Sequence, residues 1–264
     1  MEKFSSELKA KLLDATEKAL REYDLKPIFF SLSGSFLYGT ESDSDNDYDI
    51  RGCFYYPTEK ILGLDSLPET IEFKEGLVDG QVHEVGKFVH LLIQPNANFV
   101  EETLSRLVIF EDGVFFKKLQ EIARKSISKE MFPHIEGMTI HTYQHAEKEQ
   151  WSKPKRILYL YRELLRGIVL FRDKVFESNI EKLAQQYGNP ETVQHVKLLI
   201  ELKKKGSKIE KTGQEYKDEV HRMQDEMLRL KTFGLLPAKS VDNKVFANRF
   251  LVNLRKQTLV IKKM

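Results

Sequence analysis

Near Lys87 the spacing of apolar residues in this 264-residue chain changes, and that change limits what it can fold into. Before it lie short runs of strand character: IFFSLS (Ile28 to Ser33), YDIRGCFYY (Tyr48 to Tyr56), TIEFK (Thr70 to Lys74) and QVHEV (Gln81 to Val85). These runs are aromatic, β-branched or alternating, and the turn-like EGLVDG joins the last two as a hairpin. From Lys87 onward nearly everything has helical period, NFVEETLSRLVI included, with breaks at Pro133, Pro154, Gly188 with Pro190, and Pro237. The opening MEKFSSELKAKLLDATEKALREYDLKPIFF mixes charge with Phe4, Leu8, Leu12 and Leu13 at helical spacing, which is an amphipathic helix rather than a signal peptide. The expectation is an α+β protein: a small mixed-sheet domain over residues 1–110, then an α-helical domain over 111–264.

Charge divides at the same place. Residues 1–110 hold 11 Lys and Arg against 20 Asp and Glu, a balance of −9, while residues 111–264 hold 31 against 20, a balance of +11. An acidic half beside a basic half suits a protein that holds cations with one and a polyanion with the other; lysine-rich solvated helices are the plainer explanation. No apolar run approaches the roughly 20 residues that cross a bilayer. Cys53 is the only cysteine, so no internal disulfide or cysteine zinc site can form, and a cytoplasmic location is expected.

The chemistry concentrates in SLSGSFLYGTESDSDNDYDIRG, Ser31 to Gly52, where Asp43, Asp45, Asp47 and Asp49 alternate. A calcium loop starting at Asp43 or Asp45 would need glycine and glutamate where the chain has Tyr48 and Phe54, or Ile50 and Tyr56. Neither a P-loop nor G-x-G-x-x-G occurs. A solvated acidic turn accounts for Asp43 and Asp45. Asp47 and Asp49, alternating with Tyr48 and Ile50 as the chain enters a strand, present two carboxylates to one sheet face. Such a pair is costly unless a cation sits between, and Mg²⁺ or Mn²⁺ with oxygen ligands is the candidate.

A strand, then Gly34 and Ser35, then about a dozen residues, then Asp47 and Asp49 on the next strand resembles the DNA polymerase β-like nucleotidyltransferase superfamily. GSFLYGT followed by DYDIRG is similar to one branch, the predicted nucleotidyltransferases associated with RNA ligase in RNA repair. That branch also carries an Asp eight residues before a helix-starting Lys, then Asn-Pro and a glutamate; here these are Asp79, Lys87, Asn96 and Glu101, with Ala97 in place of Pro and Asn46 in place of Ser. The resemblance is specific over Ser31 to Glu102 and thins beyond it.

The resemblance implies a polymerase β-like palm domain that transfers a nucleoside monophosphate from an NTP, ATP among them, to a hydroxyl in the cleft between the domains. Two divalent metals would be held by Asp47, Asp49 and a third carboxylate. For that third ligand Asp79 matches the family position; Glu84, just before a helix, reads equally as a capping carboxylate. Gly34 permits close approach, and Ser35 can offer a hydroxyl and an N–H to the triphosphate at a helix start. Arg51, on the same strand face, contacts phosphate or pairs with the carboxylates, and Lys87 joins the NTP-binding set by its family position. The implied acceptor is an RNA 3′ end, from a damaged or cleaved tRNA, with an RNA ligase pathway as context. A small molecule, a protein side chain, or a catalytically inactive binding module remain the alternatives.

In the basic half, SKPKRILYLYRELLRG brings Arg156, Tyr159, Arg162 and Arg166 together. Arg162 and Arg166 share a helix face with Tyr159 and could meet a triphosphate or an RNA backbone, or belong to an amphipathic helix whose arginines pair with acids. His141 and His145 are four apart, but no acid stands at matching spacing, so they read as helix-surface histidines.

Overall fold

The computed structural model describes residues 4–42, 47–64, 66–209, 213–240 and 243–259. In chain order its elements are α1 (Ser6–Leu20), β1 (Lys26–Leu32), α2 (Gly34–Tyr38), β2 (Tyr48–Tyr55), α3 (Thr58–Ile61), β3 (Thr70–Glu75), β4 (Val78–Glu84), α4 (Val85–Ile93), α5 (Ala97–Leu104) and β5 (Val108–Glu111). There follow α6 (Phe115–Ser126), α7 (Phe132–Lys148), α8 (Pro154–Asp173), α9 (Ile180–Tyr187), α10 (Pro190–Lys204), α11 (Gln214–Phe233) and α12 (Asn243–Thr258). The fold is α+β with a mixed sheet, and the chain forms two compact units: residues 1–34, 47–126 and 240–264, and residues 35–46 and 127–239. These units are not divided at 110/111. Helices α6 and α12 belong with the sheet, and the short segment holding most of α2 belongs with the other helices.

In the first unit the strand order is β3-β4-β2-β1-β5. Strands β1 and β2 are antiparallel, as are β3 and β4, whereas β2 and β4 run parallel, because α3 and β3 carry the chain away from the edge of β2 and back. The β3–β4 hairpin turns more tightly than EGLVDG suggests: β4 already begins at Val78, and Gly76 takes the turn with φ +58. Strand β5 corrects the helical expectation for Val108 and Ile109. It pairs antiparallel with β1, Phe30 opposite Phe110, and so completes that side of β1's hydrogen bonding.

One end of the sheet face is closed by aromatic packing. Phe29 of β1 meets Phe88 of α4 edge-on at 5.5 Å and Phe116 of α6 at 4.8 Å, and Phe88 meets Phe99 of α5 at 5.1 Å. Cys53, opposite Phe29 in register, is fully buried there. Four residues earlier on the same strand, Asp49 keeps 34% of its side chain exposed. The face therefore runs from a dry floor to an open carboxylate end.

In the second unit α8 is buried along nearly its whole length, Pro154 starting it and Lys174 ending it in the left-handed region at φ 58. Around it pack α7, α9, α10 and α11. Asn179 and Asn189 cap α9 and α10 by accepting the backbone N–H groups of Lys182 and Thr192. Among the described residues no helix is long and apolar enough to cross a membrane.

Candidate active site

Strand β1 ends by pairing with the metal-candidate strand: the Ser33 N–H donates to the Asp49 carbonyl at 2.8 Å. The next residue, Gly34, has φ +61, and a Cβ built on it would lie 1.8 Å from Asp49 Oδ2 and 3.0 Å from Asp49 Cβ. Only glycine lets this turn lie against that carboxylate. Helix α2 starts here, and Ser35, in its first turn, is 6% exposed.

The parallel pairing of β2 with β4 sets Asp49 directly opposite Asp79 and Arg51 opposite Gln81. Residues in register point to the same face, so the Asp49 and Asp79 side chains are neighbours on strands about 4.8 Å apart. Asp47, two residues before Asp49 and immediately before β2, is exposed and on the same side by alternation. Glu84 ends β4, five residues after Asp79, and its carboxylate accepts the Gly86 N–H at 2.6 Å as the cap of α4 and pairs with Arg255 of α12.

Arg51 Nη1 donates to its neighbour's carbonyl, Ile50 O, at 2.9 Å, and Nη2 reaches Asp49 Oδ1 at 3.3 Å. Lys87 turns away from this end: its ammonium donates to Thr70 Oγ1, which also hydrogen-bonds His83 Nδ1 at 2.9 Å. Burial first, then the charges of Lys87 and Arg51, pull His83 down to about 4, so it is neutral at physiological pH.

Asp47, Asp49 and Asp79 fall on one face by register and alternation, and carboxylate oxygens are the donors that Mg²⁺ and Mn²⁺ accept. Among the described residues no three Asp, Glu, His or Cys side chains already converge on one point. Asp43 and Asp45, read as a solvated approach to the strand, lie outside the described residues.

One acid near this face escaped the sequence reading. Glu102 of α5 has Oε2 enclosed without a hydrogen-bond partner. Burial pushes its acid from 4.5 up to about 8; Arg51 pulls it back and Glu101 pushes it further. The folded state therefore holds this proton through a range where the unfolded chain has lost it. Stability from this group is complete below 4.5 and is lost as pH rises toward 8. Glu102→Gln is expected to melt higher than the parent near pH 8 and no higher near pH 4, in scans without added metal. Identical differences at both pH values would show that the carboxyl is ionised in the fold. Sequence offered one signal, a second acid beside Glu101 on a short helix, but not its burial.

In the second unit, Arg162 and Arg166 are 4% and 0% exposed, so neither guanidinium is presented to a polyanion as folded. The helix that carries them is buried nearly all round rather than on one apolar stripe. The Arg162 guanidinium lies 3.7 Å over the Tyr38 ring, Tyr38 meets Tyr159 edge-on at 5.8 Å, and Lys155 stands 5.8 Å over Tyr159. Arg156 is paired with Glu149 at 3.3 Å.

Comparison with known proteins agrees with the sequence motifs. An uncharacterized protein from Methanocaldococcus jannaschii is 34% identical over 157 residues, covering 58% of this chain and 63% of that protein, so the match spans less than two thirds of the relative. A solved nucleotidyltransferase-like protein from Exiguobacterium sibiricum is similar at 13% identity over 92% of this chain and 79% of its own, with a TM-score of 0.34, a superposition too loose to weigh. The family model described as the RNA repair pathway DNA polymerase beta family matches residues 8–253, and the chain belongs to that family of polymerase β-like nucleotidyltransferases associated with RNA repair.

Proposed function

We propose that this protein transfers a nucleoside monophosphate from an NTP to the 3′-hydroxyl of an RNA, as a step in RNA repair. The observation that carries the reading is the register of Asp49 with Asp79, with Gly34 held against Asp49. The acceptor oxygen attacks the α-phosphorus in line, the bond to the bridging oxygen of pyrophosphate breaks, and the acceptor proton is lost to water or a phosphate oxygen. Two Mg²⁺ or Mn²⁺ ions, when bound, would neutralise phosphate charge and lower the pKa of the attacking hydroxyl.

Asp47 and Asp49 hold that charge at the α-phosphate, and Asp79, one strand over, serves the side from which the hydroxyl enters. Arg51, which pairs with Asp49 at 3.3 Å, would exchange that carboxylate for phosphate oxygens. Gly34 and Ser35 receive the triphosphate at the start of α2. Lys87, hydrogen-bonded to Thr70, acts on this site through His83 and the β3–β4 floor rather than by contact. The family's link to RNA repair supports an RNA acceptor, and an RNA ligase is the class of enzyme that would then seal the extended end. NTP and RNA as substrates suit a cytoplasmic reaction.

Offering each labelled NTP with Mg²⁺ and a 3′-OH RNA tests this directly; label on protein alone would overturn the RNA acceptor. The same assay separates Asp79 from Glu84. Glu84→Gln is expected to lower stability by about 1–2 kcal/mol through its cap and its Arg255 pair while leaving transfer by the folded protein intact. A loss of transfer as deep as that of Asp79→Asn would place Glu84 among the ligands instead.

A further inference from the structure

We propose that His141 and His145 form a two-histidine site for a borderline transition-metal dication, Zn²⁺ first among them, on α7. Spacing alone leaves this pair as surface histidines; their side-chain placement does not. The two Nε2 atoms face each other at 3.3 Å, with ring centroids 4.6 Å apart and planes inclined at 66°. The two rings are placed as an Nε2–Nε2 hydrogen bond, long at 3.3 Å. Two imidazole nitrogens bound to one tetrahedral zinc at about 2.0–2.1 Å stand about 3.3–3.4 Å apart. The observed gap is that bite.

The surroundings suit imidazole ligation. His141 is exposed and His145 partly so, both on the side of α7 away from its buried Thr139, Thr142 and Ala146. The Arg156 charge that would repel a dication is paired with Glu149. Among the described residues no third side chain completes the set, so water fills the remaining positions. Nitrogen donors separate this site by metal class from the oxygen face of β2 and β4, which suits Mg²⁺. The inference does not depend on nucleotidyl transfer.

Calorimetric titration of the full chain with Zn²⁺ in a large excess of Mg²⁺ tests it, since Mg²⁺ occupies carboxylate sites. One saturable equivalent is expected for the parent and for Asp49→Asn, and none for His141→Gln or His145→Gln. Co²⁺ should show ligand-field absorption in the parent that both histidine variants lose. Equal Zn²⁺ binding by parent and both variants, or no saturable binding by the parent, would overturn the site. Loss in Asp49→Asn with retention in the histidine variants would place the zinc on the carboxylate face instead.

Discussion

Asp49→Asn is expected to abolish nucleotidyl transfer, by about 10³-fold or more, while leaving the protein folded. The two halves of that expectation have separate causes. A carboxylate that holds cationic charge at the α-phosphate contributes several kcal/mol to the transition state, and each 1.36 kcal/mol is about tenfold in rate. The fold draws little from the same side chain: it is one third exposed, and its bond to Arg51 is long at 3.3 Å. Removing its charge also relieves repulsion from Asp47 and Asp79. Pyrophosphate release measured on parent and variant, beside a thermal melt of each, checks both. A variant that melts like the parent and keeps its rate would remove Asp49 from the chemistry.

Gly34→Ala is expected to damage the site from outside the carboxylates. The added Cβ would overlap Asp49 Oδ2 at 1.8 Å and crowd its Cβ at 3.0 Å, so the Asp49 side chain must rotate off its present position. A displacement of about 1 Å in a reacting group can cost about 10²-fold, and loss of that order is expected. The left-handed φ of +61 adds a stability cost of about 1–2 kcal/mol for any residue with a Cβ. Reduced transfer with a normal affinity for the RNA is the signature to look for, because the added Cβ displaces the Asp49 side chain.

Much of the site was legible because alternation is a local signal. Asp47, Tyr48, Asp49 and Ile50 state their faces in sequence, and the Gly-Ser pair upstream adds the turn. The pairing of Asp49 with Asp79 was not legible from spacing, since it depends on β2 and β4 being parallel, which the chain between Tyr55 and Val78 decides. Resemblance proposed Asp79 where periodicity could not, and it stands opposite Asp49 in register. Glu84 needed a partner 171 residues away, Arg255, before its capping role acquired a second anchor.

The helical half was legible as helix and illegible as surface. SKPKRILYLYRELLRG has apolar residues at helical spacing, from which one buried stripe follows; the fold instead surrounds α8, so Arg162, Glu163 and Arg166 go inside with Leu158 and Leu165. Buried charge is decided by what packs around a helix, and neighbours such as α11 lie some sixty residues on. Strand β5 was missed for a related reason: four residues following a helix carry its period forward, and only the open edge of β1 makes them a strand.

On the proposed function, the Asp face of β2 and β4 moves a nucleotide onto RNA. Its most direct measurement offers each of the four α-labelled NTPs, with Mg²⁺ and a 3′-OH RNA, to the parent protein and to Asp49→Asn. The account predicts label on the RNA with matching pyrophosphate release from the parent, neither from the variant, and no label when the RNA ends in a blocked 3′ position. Label that reaches the RNA equally with Asp49→Asn, or that stays on protein alone, would contradict it.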